Sequence, residues 1–107
     1  MYIRFSNGSE ILLVDVPIKE KFLDDVALIH LNNAITGINK GAWELVDIPT
    51  GLYICSGRTK KECIEIFKND FAKKYLNFKT NNPRYYRLKV ELQELIKARE
   101  EGGKKDG

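Results

Sequence analysis

Cysteine, histidine and proline are scarce in this sequence, and the shortage of cysteine and histidine excludes zinc-binding and disulfide-rich proteins. In 107 residues there are two cysteines, one histidine and three prolines. The cysteines, Cys55 and Cys63, lack CxxC spacing and have no histidine or cysteine companions, so neither a zinc-binding pattern nor a disulfide framework is present. We expect reduced thiols in a cytoplasmic protein that holds no metal.

Long apolar runs and a strong charge of one sign are also missing. No run approaches the roughly 18 apolar residues of a membrane span, and the N-terminus lacks a signal-peptide pattern, so we expect no contact with a membrane. The 18 lysines and arginines nearly balance 15 aspartates and glutamates, which gives a net charge of +3. Because dedicated duplex-binding proteins are far more basic, we do not expect nucleic acid to be the main partner.

What remains is an ordinary globular composition, with 43% hydrophobic and 31% charged residues. A chain of this length has room for one domain with a single core. No internal repeat or long linker divides it. We therefore predict one domain over residues 1–101 and a polar tail over residues 102–107.

Turn signals dominate the first half of the chain. Asn7-Gly8 lies between two apolar-alternating runs and predicts a β-hairpin in which Phe5 pairs with Glu10 and Ile3 with Leu12. The apolar residues predicted to share its inward face are Met1, Ile3, Phe5, Leu12, Val14 and Val16. Residues 17–25 are interpreted as a connection. The next aliphatic run, Val26–Leu31, fits a strand or the end of a helix; we prefer a strand because the run is short.

Further strands are predicted at residues 34–38, 42–48 and 52–55, with turns at residues 39–41 and 49–51. From Thr59 the apolar spacing becomes three or four residues, which predicts an amphipathic helix to about Phe78. Asn82 as cap and Pro83 in the first turn predict a second helix, which Gly102 ends. The predicted fold class is α+β, an N-terminal antiparallel β-meander followed by two C-terminal helices.

A basic turn before the first helix is the leading candidate for a binding site. Thr59 and Glu62 have the spacing of a capping box, and free amides at a helix start favour anions. We predict that Gly57 allows close approach, that the backbone amides of Thr59 and Lys60 donate to a phosphate, and that Arg58 clamps it. The alternative is a solvated first turn. A Walker loop is excluded, because its upstream glycine is absent.

A second cluster, Arg84-Tyr85-Tyr86-Arg87, interleaves aromatic and basic residues. Tyr86 and Arg87 could form a stacking wall for a base, with Asn82 reading its edge. The alternative is that Tyr85 belongs to the core, the arginines are ordinary helix surface and Asn82 is a cap.

No group of residues predicts catalysis. His30 is flanked by apolar residues, and Asp24 and Asp25 have no base or nucleophile assigned to them. The basic turn is expected to lower the pKa of the neighbouring thiols, Cys55 and Cys63, but neither has a base partner. We therefore predict that the protein is not an enzyme and needs no cofactor.

The Asn-Gly hairpin, the meander ending in Gly51-Leu52-Tyr53-Ile54-Cys55-Ser56-Gly57-Arg58-Thr59 and the helices broken at Asn81-Asn82-Pro83 resemble a small phage or prophage accessory protein. The layout is similar to that of viral sponge proteins that counter Thoeris defence, and the similarity covers the order of elements over most of the chain. It implies a counter-defence role in the host cytosol. It also implies sequestration, without cleavage, of a cyclic ADP-ribose-type signal between subunits, with an arginine and stacking aromatics around the nucleotide.

The sequence thus predicts non-enzymatic binding of a small anionic nucleotide-like ligand by a homo-oligomer that associates through its helices. One alternative is a protein–protein interaction module whose helices grip a host protein. Another is weak nucleic-acid binding through a set of lysines: Lys60, Lys61, Lys68, Lys73 and Lys74.

Overall fold

A computed structural model of the protein describes residues 1–7, 10–31 and 42–105. Within these ranges two antiparallel sheets precede the helices. The hairpin sheet contains β1 (Tyr2–Asn7) and β2 (Glu10–Asp15), and the larger sheet contains β3 (Glu20–Leu23), β4 (Val26–Leu31), β5 (Ala42–Asp47) and β6 (Tyr53–Gly57) in sequence order. The helical part comprises α1 (Lys60–Ile66), a π-helical segment (Phe67–Phe71), α2 (Ala72–Asn81) and α3 (Pro83–Lys105). The predicted α+β class is confirmed.

The N-terminal hairpin forms with a register that differs from the predicted one. The observed pairs include Ile3–Val14, Phe5–Leu12 and Asn7–Glu10. The predicted pairs, Phe5–Glu10 and Ile3–Leu12, are therefore wrong, and the residues between the paired strands are 8 and 9, which lie outside the described ranges. Because the register moves by an even number of residues, Ile3 and Val14 still share a face, as predicted. Ile3 and Val16 are buried as predicted.

Different elements cover the two faces of the larger sheet. One face carries a core closed by α1 and the π-helical segment: Val26, Leu28, Leu45, Cys55, Cys63 and Phe67. The other face carries a smaller core closed by the hairpin: Ile3, Val16, Ile29 and Val46. Successive strand residues point to opposite faces, so Leu45 and Val46 serve different cores.

Helix α3 lies against the outer face of the hairpin. Tyr2 and Arg4 point away from the hairpin-facing core, because they alternate with Ile3 along β1. The Arg99 guanidinium lies 5.4 Å from the centre of the Tyr2 ring. Arg99 Nη1 also donates a hydrogen bond of 2.5 Å to Leu13 O. The hairpin is therefore held between the larger sheet and α3.

One predicted segment between the hairpin and the larger sheet changes. The predicted connection at residues 17–25 contains β3, an edge strand in which only Phe22 is partly buried, so its apolar alternation is weak. The preferred reading of Val26–Leu31 as a strand is confirmed. The strand predicted at residues 34–38 and the turn at 39–41 lie outside the described residues. Gly51 has a φ of 70°, as the predicted 49–51 turn requires.

The first predicted helix contains a π-helical segment. In it the Ala72 N–H donates to Phe67 O, five residues back. Four α-helical residues turn about 40° beyond a full circle, so a stripe with repeated four-residue spacing drifts around an α-helix. The wider π turn offsets this drift. It keeps one stripe facing the sheet: Cys63, Phe67, Phe71 and Tyr75.

The last helix extends further than predicted. It continues through Gly102 to Lys105, so the predicted stop at Gly102 is wrong. Glycine lowers helix stability by about 1 kcal/mol relative to alanine but does not forbid the conformation. Positive lysine side chains near a helix C-terminus also stabilise the helix, because they interact favourably with the negative end of its dipole. Among the described helices, none combines the length and the apolar character that crossing a membrane requires.

Candidate functional site

The predicted basic turn is built largely from residues with structural contacts. A Cβ atom on Gly57 would lie 2.5 Å from the backbone N of Cys63 and 2.9 Å from its Cα. Glycine is therefore required at this position for the end of β6 to pack against α1. This close approach is to the protein's own backbone.

Thr59 and Lys60 also have partners within the chain. Thr59 Oγ1 accepts a hydrogen bond of 3.1 Å from the Glu62 N–H, which confirms the predicted N-cap. Lys60 forms an ion pair with Glu20 of β3. Arg58 is exposed and has no acidic partner among the described residues. Of the predicted phosphate contacts in this turn, Arg58 is the side chain that remains available.

Arg87 lines a cleft between the hairpin, the start of β6 and α3. The cleft has a volume of about 640 Å³, within the range of roughly 300–1,000 Å³ that is usual for small-molecule sites. Its described lining comprises Arg4, Leu52, Tyr53, Arg84, Arg87, Leu88 and Glu91. Three guanidinium groups therefore meet a single carboxylate there.

Arg4 fixes the geometry of this cleft. Its Nε donates to Thr50 O at 2.7 Å. Its two terminal nitrogens contact α3, one by an ion pair with Glu91 and the other by a hydrogen bond to Leu88 O. The Arg4 side chain is nearly buried, and its charge is matched by that of Glu91. The cleft consequently presents Arg84 and Arg87, which have no acidic partner among the described side chains.

The structure does not bring the predicted site residues into one cavity. Arg84 and Arg87 are three residues apart and share a helix face, whereas Tyr86, 69% exposed, does not line the cleft. Asn82 caps α3, because its Oδ1 accepts a hydrogen bond of 2.9 Å from the Arg84 N–H. The Gly57–Lys60 turn follows the far end of β6, roughly 13 Å along the strand from Tyr53.

An aromatic crevice adjoins the cleft and shares Leu52 and Tyr53 with it. Its volume is about 200 Å³. The rings that line it are those of Tyr53, Phe71, Tyr75, Phe78 and Tyr85. Lys74 also lies on the crevice, with its ammonium group 6.0 Å from the centre of the Phe71 ring. Apolar rings are thus placed directly beside a cationic cleft.

A buried carboxylate, Asp47, lies at the base of this crevice. It is 2% exposed. Its oxygens accept hydrogen bonds from the Thr50 N–H at 3.0 Å, the Thr50 hydroxyl at 2.6 Å, the Tyr75 hydroxyl at 2.6 Å and the Tyr85 hydroxyl at 3.0 Å. Burial, together with the Asp47 charge, raises the pKa of both phenols above the ordinary value, so they remain protonated donors.

The pKa of both thiols is shifted in the direction opposite to the one that the sequence predicts. Burial raises the pKa of Cys55 to about 12 and also raises the pKa of Cys63. Desolvation therefore outweighs the cations of the adjacent turn, and the predicted lowering is wrong. In the part of the chain that the structure describes, no group of three or more histidine, cysteine or acidic side chains converges.

Sequence reasoning missed Arg4, Arg84 and Tyr53 as members of one cleft. The three-residue spacing of Arg84 and Arg87 indicates a shared helix face, a signal that could have paired them. Arg4 and Tyr53 carry no local signal, since they reach the cleft through tertiary packing. Comparison with protein-family models, with curated proteins and with solved structures finds no match.

Proposed function

We propose that the protein binds a small anionic nucleotide-like ligand in the cleft between the hairpin and α3, and releases it chemically unchanged. The phosphate groups of the ligand lie against Arg84 and Arg87. In line with the resemblance stated above, the role is sequestration of a cyclic nucleotide signal by a phage protein that counters a host defence.

The observation that carries this proposal is the charge imbalance of the cleft. Arg4 balances the charge of Glu91, the carboxylate in the lining, through an ion pair. Arg84 and Arg87 line the same cleft and have no acidic partner among the described residues. Guanidinium groups bind phosphate with two parallel hydrogen bonds, and they gain strength where water is partly excluded. The concave shape and the volume suit a ligand of nucleotide size.

A thermal-shift screen tests the proposal. The wild-type protein is heated with inorganic pyrophosphate, AMP, ADP, cyclic AMP, ADP-ribose and cyclic ADP-ribose. At a ligand concentration of 100 times the dissociation constant, binding adds about 2.7 kcal/mol of stability, which raises the melting temperature by several degrees. Chromatography of the released ligand should recover it intact. No shift with any of these anions would contradict the proposal, and a chemically altered ligand would contradict its non-enzymatic part.

A second proposal, favoured by the exposed apolar side chains of the helices, is contact with another protein chain. Leu76 on α2 is 60% exposed and Tyr86 on α3 is 69% exposed. Each of these side chains offers a partner chain apolar surface to bury. We propose a second copy of this chain as the partner, and capture of a host protein as the alternative.

A further inference from the structure

We propose that the aromatic crevice beside the cleft is a nucleobase subsite. The base of the ligand stacks in the crevice while its phosphates lie on Arg84 and Arg87. This inference rests on the proposed function, and it names the part of the ligand that the cleft itself does not contact.

The two cavities have the relative size and position that such a ligand needs. The crevice, about 200 Å³, is small for a whole nucleotide but suits one planar ring system, whereas the cleft, about 640 Å³, suits sugar and phosphate. Leu52 and Tyr53 line both cavities. The two cavities therefore adjoin each other, as a ligand with its base in one and its phosphates in the other requires.

The crevice walls offer stacking surfaces. The π-helical segment keeps Phe71 and Tyr75 on one side of the helix, and Phe78 follows one turn later on the crevice. Tyr53 is 57% exposed and forms the wall that the two cavities share, so its ring is free to stack. Lys74 places a positive charge beside the rings. Each base–aromatic stack contributes to affinity regardless of which base is bound.

We expect the crevice to discriminate only weakly among nucleobases, because the polar groups that line it are already paired. The Asp47 oxygens already accept hydrogen bonds from Thr50, Tyr75 and Tyr85. Those polar groups are thus engaged with one another and not aimed at a ligand. Recognition by stacking predicts that ADP and GDP bind with affinities within a few-fold of each other.

Isothermal titration with ADP and with inorganic pyrophosphate tests the subsite. Both probes carry a diphosphate, but only ADP carries a base. We expect ADP to bind wild-type protein at least tenfold more tightly than pyrophosphate, since one aromatic stack is worth roughly a factor of ten or more. Tyr53→Ala should remove most of that advantage. Because Tyr53 also lines the cleft, the readout is the ratio of the two affinities, which should fall toward one.

Tyr86→Ala is the matched control, because Tyr86 is an exposed tyrosine that lines neither cavity. It should change the affinity for neither probe. Equal affinities of wild-type protein for ADP and pyrophosphate would overturn the base subsite while leaving anion binding in place. A loss of ADP affinity in Tyr86→Ala but not in Tyr53→Ala would overturn it too. Failure of both probes to bind would overturn the proposed function and the subsite together.

Discussion

Arginine residues perform two different tasks around the cleft, and their surroundings decide which. Arg4 is nearly buried, and its nitrogens contact Thr50 O, Leu88 O and Glu91. Removing it would take a charged donor from Thr50 O and leave Glu91 without its ion-pair partner. Arg84 and Arg87 are exposed on the surface of α3, where an arginine contributes little to folding. Their charges are consequently available to a ligand.

Glu44 is the titratable side chain whose environment gives the clearest pH dependence. It is 7% exposed on the hairpin-facing side of β5, and burial raises its pKa from 4.5 to about 7. The folded state therefore binds more protons than the unfolded state between these two values. The protonated side chain is the form that burial favours. Its contribution to the free energy of unfolding is therefore fully present below pH 4.5 and is lost as the pH rises through about 7.

Glu44→Gln should remove this pH dependence, because the amide is neutral at every pH. We expect the variant to match the wild-type stability near pH 4 and to exceed it at pH 8 by on the order of 1–2 kcal/mol. Urea unfolding at several pH values measures the difference. Glu65→Gln, an exposed change on α1, is the control and should follow the wild-type curve. A constant difference between wild type and Glu44→Gln across this range would show that Glu44 does not titrate with folding.

Asp47 joins several elements through hydrogen bonds. Its carboxylate at the end of β5 joins the following turn through Thr50, α2 through Tyr75 and α3 through Tyr85. Hydrogen bonds to a charged acceptor in a buried position are among the stronger ones in proteins. The start of α3 is therefore positioned by a polar centre, and Arg84 and Arg87 with it.

Asp47→Asn tests this polar centre. The amide has one acceptor oxygen and faces hydroxyl donors with its NH₂ group, so several hydrogen bonds are lost or weakened. We expect a loss of about 2–3 kcal/mol in the free energy of unfolding, measured as a lower urea midpoint. Asp70→Asn, an exposed change in the π-helical segment, should stay within about 0.5 kcal/mol. Equal midpoints for the two variants would exclude an organising role for Asp47.

Local signals in the sequence were sufficient for features that depend on neighbouring residues. The caps at Thr59 and Asn82 and the strand Val26–Leu31 are of this kind, and all three are confirmed. Features that depend on distant residues were not predictable. Arg4 reaches Glu91 across 87 positions of sequence, and no local pattern announces such a contact. The hairpin register also differs from the one that the Asn7-Gly8 signal predicts, since Phe5 pairs with Leu12 and not with Glu10.

At the scale of the whole molecule, the hairpin lies between the larger sheet and α3. Among the described residues, α3 is held by polar contacts of Arg4, Tyr85 and Arg99 and by the buried side chain of Leu92. Much of its surface, including Tyr86, therefore faces outward. A long helix packed along one side leaves an opposite side available for another chain.

We predict that this outward surface supports self-association. Light scattering at about 100 µM protein, well above the dissociation constant of a micromolar dimer, should give a mass above that of the 107-residue monomer. Tyr86→Glu should shift the distribution toward monomer, because it places a charge in the contact. Asn69→Asp, an exposed change in the π-helical segment that adds the same charge outside α3, serves as the control. A monomeric wild-type protein at this concentration would contradict the prediction.

Arg87, and not the basic turn, is the residue that we propose to hold the anion. Isothermal titration of wild type, Arg87→Ala and Arg58→Ala with ADP tests it most directly, since both variants remove one exposed arginine. Loss of a bidentate phosphate contact costs ~2 kcal/mol, so Arg87→Ala should bind about thirtyfold more weakly, while Arg58→Ala should remain close to wild type. Equal affinities for the two variants, or a greater loss in Arg58→Ala, would contradict the claim and place the phosphate at the start of α1.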